Sequence, residues 1–162
     1  PATELLLIVA ARAQHAAQVL RPAVESGNIV ISDRYTDSSV AFQGYGRGLD
    51  LAMIDNVNRL ATGGLTPDLT ILFDLDATVA QARLDARRLG ASETTRKPAL
   101  AYLDELELEF HTRVREGYLA IAAADPARFK VVDASARADA THAKVLSLVL
   151  TLIKSPVLNP QS

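Results

Sequence analysis

The stretch Ile29-Val30-Ile31-Ser32-Asp33-Arg34-Tyr35-Thr36-Asp37-Ser38-Ser39-Val40-Ala41-Phe42-Gln43 passes from three aliphatic residues into a dense polar run. A short apolar run bounded by a turn signal, here Gly27 on its N-terminal side, reads as a fully buried strand, as in parallel sheets. Polar residues that follow such a strand stand where α/β proteins bind ligands. Arg34 presents a planar fork of donors suited to a phosphate, and Asp33 is placed to orient that arginine or reach a metal-bound water. The alternative is an Asp33–Arg34 ion pair at a strand end with no ligand.

Upstream of this stretch, Thr3 is the expected cap of a helix from Glu4 to about Leu20, with Pro22 kinking or restarting it and Gly27 ending it. Downstream, Gln43 to Asp50 carries Gly44, Gly46 and Gly48 and reads as a loop. Asp50 then caps a helix from Leu51 to about Ala61, stopped by Gly63-Gly64. Leu69 to Phe73 forms a second buried strand, followed by a helix over Ala77 to Leu89 capped by Asp76. Residues 90–104 are polar and basic without periodicity and form the lid candidate. Leu103, Leu106, Phe110 and Val114 mark the buried stripe of a long helix ending before Pro126. Phe129 to Val132 is a third strand, Ala138 to Ile153 a last helix, and 155–162 a tail. This alternation predicts one α/β domain over 1–162, a parallel sheet with helices on both faces, and functional residues at the carboxyl ends of the strands.

Composition narrows the function. At 162 residues and 49% hydrophobic content the chain is long enough for one core. Its 17 basic and 19 acidic residues give a formal charge of −2, which offers no general attraction to nucleic acid or anionic lipid. The absence of cysteine excludes disulfides and thiolate chemistry and fits a cytoplasmic location. No apolar run reaches the roughly 18 residues of a membrane span, and Pro1-Ala2-Thr3-Glu4 lacks a signal peptide's basic region. A start without methionine, entering a helix at once, suggests a truncated or processed chain.

The sequence Asp33-Arg34-Tyr35, two residues, then Ser38-Ser39 resembles the signature of thymidylate kinases. The resemblance continues through Gln43-Gly44-Tyr45-Gly46-Arg47-Gly48-Leu49-Asp50, Ala61-Thr62-Gly63-Gly64-Leu65-Thr66-Pro67-Asp68-Leu69-Thr70, Leu72-Phe73-Asp74-Leu75-Asp76, Leu108-Glu109-Phe110-His111 and Val132-Asp133-Ala134-Ser135. It implies a P-loop-kinase-like three-layer fold and ATP-dependent phosphorylation of dTMP to dTDP, with Mg2+, by a homodimer packed through helices, the helix near Thr3 being one candidate surface. The resemblance assigns Arg34 to the acceptor phosphate, with Asp33 beside it near the magnesium, Arg12 to the thymine carbonyl with Ile8 on the same helix face, and Ser38, Ser39, Phe42, Gln43 and Tyr118 to the nucleoside pocket. Asp133, Ala134 and Ser135 resemble the loop that cradles adenine. Each has a plainer alternative: Arg12 a solvated helix residue, Ser39 a turn hydroxyl, Gln43 a loop amide, Tyr118 a core aromatic, and Asp133 with Ser135 a helix cap.

Departures from the family pattern are equally specific. No glycine is followed by lysine, so the Gly-x-x-x-x-Gly-Lys donor grip does not occur in these residues. In the family that loop lies upstream, with a first strand between those read at Ile29–Ile31 and Leu69–Phe73, a first helix and a second strand. Ile8 stands where a thymine-stacking phenylalanine is common, and Phe42 where a tyrosine is frequent. Ala101-Tyr102-Leu103-Asp104 replaces a frequent lid motif, leaving Arg87, Arg88, Arg96 and Lys97 as candidate lid cations, or as a solvated basic loop. A non-catalytic nucleotide-binding or dimerisation module, and a kinase for another deoxynucleotide, are the competing readings.

Overall fold

The computed structural model describes residues 1–90 and 108–154. The chain forms two compact units, one from Pro1–Thr66 with Glu109–Ile121, the other with its described residues drawn from Pro67–Leu108 and Ala122–Ser162.

In the first unit, α1 (Ala2–His15) runs through a π-type turn (Ala16–Leu20) into α2 (Arg21–Glu25). Helix α1 starts at Ala2 with Pro1 as N-cap and no side-chain cap, so Thr3 is the second helical residue rather than the cap. Pro22 lacks an N–H and crowds the carbonyl four residues back, and the wider π turn lets the helix pass through it. Gly27 ends the helix at φ 78°, as its sequence position implies.

Ile29–Ile31 does not form the expected strand: it has no ladder partner among the described residues, and Ile31 is 92% exposed. A strand is a two-body element, and an aliphatic run without a neighbour leaves its backbone groups to solvent. The segment Gln43–Gly46, expected as loop, is helical: α3 (Thr36–Ser39) continues as a π-type turn over Val40–Gly46. The glycines serve close packing instead. A Cβ on Gly46 would lie 2.7 Å from a Phe110 ring carbon and 2.8 Å from a Val114 methyl, and one on Gly117 only 2.6 Å from the Tyr45 ring. Gly46→Ala is therefore expected to destabilise the chain by about 1–3 kcal/mol, measured by urea denaturation, because both neighbours sit in the core.

Helix α4 (Leu51–Thr62) begins where Asp50 Oδ1 accepts the Met53 N–H at 2.6 Å and ends at Gly63 in the left-handed conformation, both as expected. Arg21 donates to the Thr62 and Gly63 carbonyls at 2.8 and 3.2 Å, satisfying acceptors that a helix end leaves open. Ile54, Asn58 and Thr62 recur at spacings of four and are all buried, so the inner stripe of this helix carries two polar residues. Leu5, Ala16, Leu20, Ala41, Ile54, Phe110 and Val114 complete this unit's apolar interior.

The second unit contains the described sheet: β1 (Thr70–Asp74) pairs in parallel with β2 (Phe129–Asp133), Thr70 opposite Phe129 and Asp74 opposite Asp133. Both strands stand within a residue of their expected positions. Helices α5 (Ala77–Gly90) and α7 (Ala138–Ile153) follow β1 and β2, and α7 packs on β2. Asp76 Oδ1 accepts from the Thr78 N–H at 3.0 Å at the start of α5, the capping role read from sequence. Helix α6 (Leu108–Ala124) buries Phe110 and Val114, and the remainder of its expected stripe, Leu103 and Leu106, lies outside the described residues.

Candidate functional site

Arg12 is the one buried charged residue among the described residues. It falls on the inner stripe of the first helix, seven residues after Leu5 and four before Ala16, and only 9% of it is exposed. The solvated alternative is therefore wrong. Its Nη1 donates to Asn58 Oδ1 at 2.6 Å and its Nη2 to the Tyr35 carbonyl at 3.1 Å, and the guanidinium carbon lies 5.9 Å from the Tyr35 ring centroid. Burial pulls the pKa of Arg12 down, while Tyr35 and Asp37 oppose the shift. Ile8, one helical turn earlier, is 36% exposed.

Arg34 is exposed and adopts φ 69°, making it the sole non-glycine residue with positive φ among those described. A long side chain in that conformation is under backbone strain, and such strain concentrates at binding and catalytic sites. Its guanidinium carbon lies 5.0 Å from the centroid of the Phe42 ring, a cation–π contact, and Asp33 is exposed beside it. No Asp33–Arg34 ion pair occurs among the described residues, so the bland reading of this dipeptide is not what the chain adopts. The Ser32 hydroxyl donates to the Arg34 carbonyl at 2.9 Å and steadies the turn.

Helix α3 and its π-type extension carry the other nucleoside-pocket candidates. Ser38 Oγ and Tyr118 Oη are 2.7 Å apart, joining α3 to α6. Burial raises the Tyr118 pKa, its hydrogen bond to Ser38 and the charge of Arg34 lower it, and Asp37 and Asp33 raise it. Phe42 packs edge-on against Phe110 and Tyr118, at 6.0 and 6.3 Å between centroids. The ring without a hydroxyl therefore still supports both the arginine and the tyrosine. Ser39 is buried, and its hydroxyl has no hydrogen-bond partner among the described residues. Gln43 is buried too, with Nε2 donating to Glu4 Oε1 at 2.8 Å, and Arg47 pairs with the same carboxylate at 3.7 Å. Neither is a loop hydroxyl or a loop amide.

In the second unit, Asp133 Oδ1 accepts the Ser135 N–H at 2.8 Å, a local turn and not the helix cap named as the plainer alternative, since the last helix begins at Ala138 with Arg137 as N-cap and no side-chain cap bond. Hydrogen bonding from the Ser135 hydroxyl, and then from its N–H, holds the Asp133 carboxyl below its ordinary pKa. Arg83 donates to the carbonyls of Ala134 and Ser135 at 3.0 and 3.3 Å, and the Ala134 N–H bonds the Asp74 carbonyl at 2.8 Å. The loop's backbone groups are thus largely paired. Arg87 and Arg88 lie within α5, while Arg96 and Lys97 lie outside the described residues.

Asn58, Glu4 and Arg83 are the residues the sequence reading missed. Asn58 had a signal, since a polar residue four after Ile54 and four before Thr62 stands on a buried stripe. Glu4 and Arg83 had none, because their partners are 39 and more residues away.

The parallel α/β pairing of β1 with β2, with a helix following each strand, agrees with the class of P-loop-kinase-like folds. The thymidylate kinase family model matches residues 1–145. Curated thymidylate kinases agree: that of Solidesulfovibrio magneticus is 48% identical over 150 residues, 93% of this chain and 70% of the relative. That of Geobacter sulfurreducens is 44% identical over 153 residues, covering 94% and 70% respectively. The crystal structure of thymidylate kinase from Ehrlichia chaffeensis superposes with a TM-score of 0.68 at 28% identity, covering 91% of this chain and 65% of that one. The chain belongs to the thymidylate kinase family. It spans about 70% of the length of these curated relatives and 65% of the crystallised one.

Proposed function

We propose that this chain supplies the acceptor-nucleotide site of an ATP-dependent dTMP kinase, an enzyme that makes dTDP. The observation that carries the reading is the buried Arg12 guanidinium, aligned by Asn58 and the Tyr35 carbonyl with N–H groups to spare for a base carbonyl. Arg34 anchors the acceptor phosphate, and Asp33 lies beside it. Ile8, Ser38, Ser39, Phe42, Gln43 and Tyr118 form the surroundings of the nucleoside. Catalysis in such a site is positioning and charge neutralisation, with no covalent intermediate.

ATP and Mg2+ are the expected co-substrate and cofactor. The residues present do not make a holder for them: no glycine precedes a lysine, and no group of three or more metal-ligating side chains occurs among the described residues. The Asp133–Ser135 loop offers adenine a surface rather than free backbone donors. Exposure of Leu6 at 62% and Leu7 at 68% on α1 supports a homodimer packed through that helix. No helix among the described residues is long and apolar enough to cross a membrane, and the cysteine-free composition fits a cytoplasmic enzyme.

Thermal denaturation with ligand panels tests this reading. A ligand at a hundred times its Kd stabilises the native state by about 2.7 kcal/mol. The melting temperature is expected to rise with dTMP and to rise less with dCMP or unphosphorylated thymidine at equal concentration. Equal shifts with dTMP and dCMP would contradict a base-reading role for Arg12.

A further inference from the structure

We infer that Asn58 is a positioning residue that sets base selectivity by fixing the angle of the Arg12 guanidinium. This rests on the proposed dTMP site and extends it to the side chain that holds Arg12. Asn58 is 97% buried, being only 3% exposed. Its Oδ1 accepts from Arg12 Nη1 at 2.6 Å, and its Nδ2 donates to the Thr36 carbonyl at 3.3 Å. One amide thus joins the base-reading arginine of α1 to the first residue of α3, the helix that carries Ser38 and Ser39 and whose extension carries Phe42 and Gln43. The Tyr35 carbonyl takes Nη2 from the neighbouring position in the chain.

Two anchors fix a planar group; one leaves it free to swing about the remaining bond. With Asn58 Oδ1 in place, the plane of the guanidinium is fixed, and its unused N–H groups, all donors, suit an acceptor on the base, the carbonyl of a thymine. A cytosine presents an amino donor at the equivalent edge, which a fixed guanidinium opposes. Without the anchor the guanidinium can turn aside, so both bases bind weakly and the distinction between them fades. Asn58 also resists replacement by a hydrophobic residue for a physical reason, since the buried arginine would lose a charge-assisted partner.

The test is calorimetric titration of the full chain with dTMP and dCMP, comparing Asn58→Leu, which keeps volume without an acceptor, and Asn58→Asp, which keeps an acceptor for Nη1. Asn58→Leu is expected to lower the dTMP-over-dCMP preference about tenfold, and Asn58→Asp to retain it. In an Arg12→Ala background, Asn58→Leu should change the preference by less than twofold, which a general packing role would not produce. Folding is checked by circular dichroism, and Asn58→Ala is read in the same way should the leucine variant not fold. Preference kept by a folded Asn58→Leu or Asn58→Ala chain, or an undiminished effect in the Arg12→Ala background, would overturn the inference. Absence of any preference in the unmodified chain would instead defeat the proposed acceptor.

Discussion

Arg34→Gly is expected to cost dTMP about 2–3 kcal/mol of binding, roughly 30–150-fold in Kd, while leaving the stability of the chain within about 1 kcal/mol of its starting value. The two halves of this prediction have separate origins. Arg34 is exposed and its guanidinium rests over Phe42, so its removal opens no cavity. Its φ of 69° is costly for any residue with a Cβ and natural for glycine. Relief of that strain offsets both the lost cation–π contact and the greater flexibility of glycine in the unfolded chain. The binding loss comes from the acceptor phosphate, which loses a forked, charge-assisted donor that lysine could not replace in kind. Calorimetry and urea denaturation on the same sample separate the two effects. Unchanged dTMP affinity would remove Arg34 from the site, and a large loss of stability would mark it as structural.

Arg12→Ala should behave in the opposite manner, losing both. The substitution leaves the Asn58 amide oxygen and the Tyr35 carbonyl without their donor and opens a void beside them. An orphaned buried polar group costs about 1–3 kcal/mol, and the void adds to it, for an expected total of about 2–4 kcal/mol. The chain should still fold, because the aliphatic interior built on Leu5, Leu20 and Ile54 is untouched. Selectivity for dTMP over dCMP should fall to near one, since the group that distinguishes their edges is gone. A shift in urea midpoint at constant slope, together with paired titrations, checks both parts. A variant as stable as the parent would mean that the buried contacts of Arg12 carry little energy. Retained selectivity would place base reading elsewhere.

The contrast between these two arginines shows what the sequence could carry. Arg34 stood out by its place after an apolar run and Arg12 by family resemblance, yet neither reading says which is buried. The stripe Leu5, Arg12, Ala16, Leu20 does say so, because a charge on the inner face of a helix must be paired. Asn58 on the stripe with Ile54 and Thr62 is the matching signal on the facing helix. Helix ends were equally legible at Asp50, Gly63 and Asp76, where one residue's chemistry decides the local conformation. The misreadings share a different cause. Ile29–Ile31 has the composition of a strand, but a strand exists only with a neighbour, and composition does not count neighbours. The glycines at 44 and 46 read as loop residues, whereas their purpose is to admit Leu51, Phe110 and Val114, which only the packed structure reveals. The links from Glu4 to Gln43 and from Arg83 to Ala134 cross 39 and 51 residues, and no local pattern encodes them.

Calorimetric titration of this chain with dTMP most directly tests whether the acceptor site is assembled within it. One dTMP bound per chain, with Kd near 1 μM or about −8 kcal/mol, is the predicted result. A folded chain that takes up no dTMP would contradict it.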